Sequence, residues 1–182
     1  MESVLFEKIK NSHYADFVSF AIWNDSDIKD LLVIEKNIET LNQNIIIVGL
    51  NANGSITKFQ NFHCKHRGGR DAWLREAFDH GYFQGAYMTD IIKNDKSSRQ
   101  SSVDLNEDNI FKNIEEFKEE LTFIGCKDPF IIAMGQKTTD ILKRIPELAR
   151  NVHSIPHYAR RKPAITKKEF IESVKKLGEF VK

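Results

Sequence analysis

The chain holds only two cysteines, Cys64 and Cys126, in 182 residues, and they form no CxxC pair. A disulfide scaffold and a four-cysteine zinc or iron–sulfur site are thereby excluded, and a reducing, cytoplasmic setting is expected. No apolar run approaches the roughly 18–20 residues of a membrane-spanning helix. The longest, Ile45–Leu50, has the length of a strand, so no membrane partner is expected. Met1-Glu2-Ser3-Val4 lacks a basic region followed by an apolar one, so no secretory leader is expected either. With nine glycines and four prolines the chain is neither collagenous nor of low complexity. What it does have is 41% hydrophobic and 10% aromatic residues, enough for a sizeable core. A chain of this length buries roughly 70% of the surface its unfolded form exposes. One α/β domain over 1–182 is expected, with a helical N-terminal segment at about 1–42.

Net charge is nearly absent, at +1, but the charges are segregated. Residues 104–122 carry seven acids and two lysines, whereas 151–182 carry eight Lys/Arg against three Glu. Residues 61–70 add Lys65, Arg67 and Arg70 without an acid, beside His63 and His66. Charge runs are commonly solvated helix faces. Two basic stretches brought together would instead make a positive face suited to phosphate-bearing partners, nucleic acid among them.

Apolar spacing predicts helices at 3–22 and 27–42, a short one at 70–79, a long acidic one at 106–123, and two more at 136–144 and 166–180. In the acidic helix Ile110, Phe111, Ile114, Phe117 and Leu121 are expected inside. Between the helices lie continuous apolar runs, Ile45–Leu50, Ala86–Ile92, Phe130–Met134 and Val152–Ile155. Runs without alternation are strands covered on both faces. The pattern predicts a three-layer α/β/α fold around a four-stranded parallel sheet. Such sheets place their sites beyond the carboxyl ends of the strands. Asn51–Gly54, Asp90–Lys93, Gly135–Lys137 and Pro156–Arg161 should therefore meet in one crevice.

The residue types there are unusual. In Gly49-Leu50-Asn51-Ala52-Asn53-Gly54 an amide can orient a water or hold a base edge, and the glycines admit a ligand to the backbone. An ordinary strand-to-loop turn uses the same residues. His157 at a strand end can donate to a departing anion. After it, Tyr158 can stack on a base, and Arg160, Arg161 and Lys162 can hold phosphates. A surface histidine in a basic loop has the same appearance. Asn61-Phe62-His63-Cys64-Lys65-His66 mixes an aromatic ring with basic groups, but its spacing is too tight for a standard zinc site, and no metal is expected. No dinucleotide or P-loop fingerprint occurs.

Taken in order, these segments resemble the uracil-DNA glycosylase superfamily, closest in style to its mismatch-specific and single-strand-selective branches. Gly49–Gly54 is similar to the family's Gly-x-Asn-Pro-Gly loop, with Ala52 in place of proline and Asn53 inserted. Tyr87–Lys93 resembles the second strand, with Asp90 where several branches have Asn. Phe130–Lys137 is similar to the apolar strand that runs into Leu-Gly-Lys. His157-Tyr158-Ala159 resembles the His-Pro-Ser/Ala motif. The resemblance spans about 44–162 and implies a DNA glycosylase that hydrolyses the N-glycosidic bond of a damaged or mismatched base, without a cofactor. It implies water orientation by Asn51, stacking by Phe62, an edge contact by Asp90, further base binding at Gly49 and Asn53, and leaving-group support by His157. An ionised Asp90 accepts but cannot donate, so it would favour a ring presenting N–H groups. Two other readings stay open: a nucleic-acid or nucleotide-binding module with a degenerate pocket, and a hydrolase of free nucleosides or nucleotides.

Overall fold

The computed structural model describes residues 1–24, 30–52, 57–63, 71–95, 102–159 and 163–181. The β-branched run at 45–48 forms the heart of a long central strand, β2 (Asn42–Asn51). Ile46 and Val48 enter one apolar cluster and Ile45 and Ile47 the other, so β2 is covered on both faces. It pairs in parallel with β3 (Ala86–Ile92) on one side and β4 (Phe130–Met134) on the other. β5 (Val152–Ile155) extends the sheet in parallel from β4. A two-residue strand, β1 (Ser19–Phe20), closes the far side antiparallel to β3, giving the order β1-β3-β2-β4-β5.

The sheet thus has five strands rather than the four expected. The helix anticipated over 3–22 is interrupted. α1 (Ser3–Lys10) ends at Asn11, and the Ser12 hydroxyl accepts from the Tyr14 amide to start a 3-10 turn at His13–Asp16. The chain then extends, and Val18, Ser19 and Phe20 are all buried against the sheet edge. Over 27–42 the described part reduces to α2 (Leu32–Lys36) and a 3-10 turn, because β2 already begins at Asn42.

The remaining helices are α3 (Asp71–Phe78), α4 (Glu107–Phe123), α5 (Gln136–Leu142) and α6 (Lys167–Leu177). α1, α4 and α5 bury Phe6, Phe117 and Ile141 in the cluster on one face, whereas α3 and α6 bury Leu74, Phe78, Phe170 and Val174 in the cluster on the other. α4 starts where the Asn106 side chain accepts from the Asn109 amide, and α6 opens with a Thr166–Glu169 capping box. Each cap satisfies backbone donors that a helix start leaves open. Ile110, Ile114, Phe117 and Leu121 point inward from α4, but Phe111 is exposed, since one residue along a helix turns a side chain by about 100°. Among the described residues no helix is long and apolar enough to cross a membrane.

Candidate functional site

β2, β3, β4 and β5 run parallel, so Asn51, Ile92, Met134 and Ile155 end on one edge of the sheet. Side chains alternate along strands, and the parity of Ile47 and Met88 turns Gly49, Asn51 and Asp90 towards the α3/α6 face. Gly49 and Asp90 are direct partners in the β2–β3 register. A Cβ on Gly49 would lie 2.2 Å from Asp90 Oδ1 and 3.2 Å from Phe62 Cε1 and Cζ. Glycine is required here because the carboxyl and the ring crowd the volume any side chain would take.

Phe62 itself has φ +64°, a conformation that costs a non-glycine residue about 1–3 kcal/mol. Residues in such strain concentrate at ligand sites, where the surrounding structure enforces them. The turn around it is pinned by Asn61. The Asn61 amide Nδ2 donates to the Phe17 carbonyl at 2.5 Å and to Asp90 Oδ2 at 2.7 Å. Asp90 is only 2% exposed, and burial raises its carboxyl from the ordinary 3.8 to about 6, against the opposing pull of Asn61 and then of Lys93. Its Oδ1 receives no hydrogen bond among the described residues.

At the end of β2 the Asn51 amide donates to the Asp95 carbonyl at 3.1 Å and to the Ala52 carbonyl at 3.3 Å. Beyond β4, Gly135 takes φ +91°, and a Cβ there would stand 3.3 Å from the Cβ of His157. The Gly135 amide donates to the Ile155 carbonyl at 2.8 Å, which ties the β4 turn to the loop carrying His157. The Ala159 amide donates to His157 Nδ1 at 3.0 Å, so in the neutral ring the proton sits on Nε2. Burial lowers the His157 pKa below 6.5 and favours that neutral form.

Tyr158 stacks on His157 with ring centroids 4.7 Å apart and leans on Phe170. It joins Phe62 and Trp73 as a partly buried aromatic on the α3/α6 face. The acidic α4 belongs to the opposite face. Asn53, Lys65, Arg67, Arg70, Arg160, Arg161 and Lys162 lie outside the described residues. His63 is buried, its Nε2 3.2 Å from the Phe20 carbonyl and its ring beside Trp23, so it is not part of a basic rim. Among the described residues no group of three or more His, Cys, Asp or Glu is placed to hold a metal ion.

Sequence reasoning passed over three participants. Asn61 was only the residue before a candidate aromatic, and nothing local marks its contact with Asp90. Lys93 and Glu120 form a buried pair on the other side of β3, with Nζ 2.7 Å from Oε2, an approach too oblique for a hydrogen bond and therefore coulombic. No protein-family model and no curated protein matches the chain.

Proposed function

We propose that the protein is a DNA glycosylase-like hydrolase that cleaves the N-glycosidic bond of an extruded base. The observation that carries this reading is the polarity of His157. Its Nδ1 is occupied by the Ala159 amide, which leaves Nε2–H as a donor at the same sheet edge as Asn51, Asp90 and Phe62. In the reaction a water oxygen bonds to the sugar C1′, the C1′–N bond breaks, and its electron pair leaves with the base. The water proton ends on the base or in solvent. Asn51 orients the water, Phe62 stacks on the base, and Nε2–H of His157 stabilises the departing anion. A neutral histidine is suited to this, since it donates without first having to lose a competing charge interaction. The position of α4 on the opposite face supports approach of a polyanion from the α3/α6 side, because the chain's acidic stretch is then remote from it.

The test is single-turnover base release from single- and double-stranded oligonucleotides carrying uracil, hypoxanthine, xanthine, or oxidised or alkylated bases. Asn51→Ala and His157→Ala should each slow release by about 10²–10³-fold, the usual effect of losing one positioned polar group. Oligonucleotide affinity should change little, because both contacts act on the transition state. Release at the parent rate by Asn51→Ala would remove the role assigned to that side chain. No release from any substrate would leave a binding module.

A further inference from the structure

We propose that Asn61 is a positioning residue that makes Asp90 a single-acceptor reader, so that the site selects a base presenting an exocyclic amino group, of cytosine or adenine type, over one presenting a carbonyl. The proposal rests on the glycosylase reading for the class of ligand, a nucleobase, and on three observations of its own. First, both amide hydrogens of Asn61 are engaged, one on the Phe17 carbonyl and one on Asp90 Oδ2, so Asn61 has no donor left to offer a ligand. Second, Asp90 is almost wholly buried, yet its Oδ1 meets no donor among the described residues. A ligand N–H is the group that would meet it. Third, that oxygen lies against Gly49 beside the Phe62 ring, so a ring stacked on Phe62 would bring its edge to Oδ1.

The donor count then decides the selectivity. The exposed edges of cytosine and adenine carry amino donors, whereas uracil and thymine carry a carbonyl acceptor at the corresponding place. An ionised carboxylate accepts from the first and repels the second. Without Asn61, the Asp90 carboxyl would be free to turn, and neither oxygen would be held at the ring edge. Lys93 does not substitute for it, because its ammonium reaches the Asp90 backbone carbonyl, at 2.8 Å.

The experiment measures equilibrium binding of free 2′-deoxycytidine, 2′-deoxyadenosine, 2′-deoxyuridine and thymidine to the full chain by NMR titration, at roughly pH 8, where Asp90 is ionised. The parent should bind an amino-bearing nucleoside about 10–100-fold more tightly than its carbonyl counterpart, the range expected for one hydrogen bond to a charged group. Asn61→Ala should collapse that ratio towards one while the chain still melts cooperatively. Asp90→Asn, which adds a donor, should reverse it towards deoxyuridine. If Asn61→Ala does not fold, the parent's own Asn61 side-chain amide resonances decide: they should move on binding deoxycytidine, and no movement overturns the proposal. Equal or tighter binding of deoxyuridine by the parent overturns it, as does failure to bind any of the four. Base release is scored separately. Amino-base preference without release would overturn the glycosylase reading and leave this proposal standing. Release of uracil with deoxyuridine bound best would do the reverse.

Discussion

Thr89 and Asp90 adjoin on β3 but point to opposite faces of the sheet, and the two faces treat buried polar groups differently. On the α4 side, Glu120 Oε1 accepts from the Tyr87 hydroxyl at 2.8 Å and the Thr89 hydroxyl at 2.9 Å, while its Oε2 faces the Lys93 ammonium. Lys93 Nζ also donates to Thr89 Oγ1, and its amide donates to Asn113 Oδ1. Each charge there meets its complement. On the α3/α6 side, Asp90 has one oxygen held by Asn61 and one that meets no donor among the described residues, next to a phenylalanine in strained backbone. Burial of charge is common to both faces, so it does not by itself mark a site. The closed network is explained by the structure alone. The Asp90 carboxyl has one oxygen held by Asn61 and keeps the other for the proposal above to test.

The largest effect should come from breaking the closed side. Glu120→Ala strands the Lys93 ammonium in the core, and a buried pair broken in this way costs about 3–5 kcal/mol. Urea unfolding of the parent and variant measures it. Replacing both partners by apolar residues, as in Lys93→Met with Glu120→Leu, should recover only part of that loss, because the buried Tyr87 and Thr89 hydroxyls then lose their shared acceptor. Recovery would identify the pair as a structural element, and an intact ligand-binding preference in the double variant would sharpen the contrast with Asp90.

The open side should respond in the opposite direction. The folded chain holds the Asp90 proton up to about pH 6, whereas the ordinary carboxyl releases it near 3.8. Between those values the folded state binds more protons than the unfolded state, so the parent loses stability as pH rises through that window. Asp90→Asn removes the titration. It should match the parent below about pH 4 and exceed it above pH 6 by up to about 3 kcal/mol, since each tenfold change in proton affinity is worth about 1.4 kcal/mol. Unfolding curves taken across the window check this, and an Asn variant less stable than the parent at neutral pH would show that the carboxylate is better satisfied than its partners indicate.

A smaller effect is expected at Gly49. Its Cβ in Gly49→Ala would meet Asp90 Oδ1 at 2.2 Å, and relieving that overlap should cost about 1–3 kcal/mol. The cost should fall when Asp90→Ala is added, because the two changes share one volume and their effects are not additive. A thermodynamic cycle of the four proteins reads the coupling, and strict additivity would separate Gly49 from the carboxyl.

The composition, the apolar runs and the crossover geometry of parallel sheets determined the α/β class, four of the strands, and the common edge at which Asn51, Ile92, Met134 and Ile155 end. These are legible because a strand buried on both faces writes its burial into a continuous local run, as Ile45–Val48 does. β1 was not legible, since two residues show no period and its partner is Tyr87–Met88, far along the chain. The inward residues of α4 could be read from their spacing, but Glu120 among them could not, because an acid on an inner face is favourable only when Tyr87, Thr89 and Lys93 surround it. Only the tertiary structure decided what surrounds each of the two buried carboxyls. Asn61 lies 29 residues from Asp90, and a hydrogen bond at that separation depends on where the fold places two atoms, which no local pattern of residues encodes.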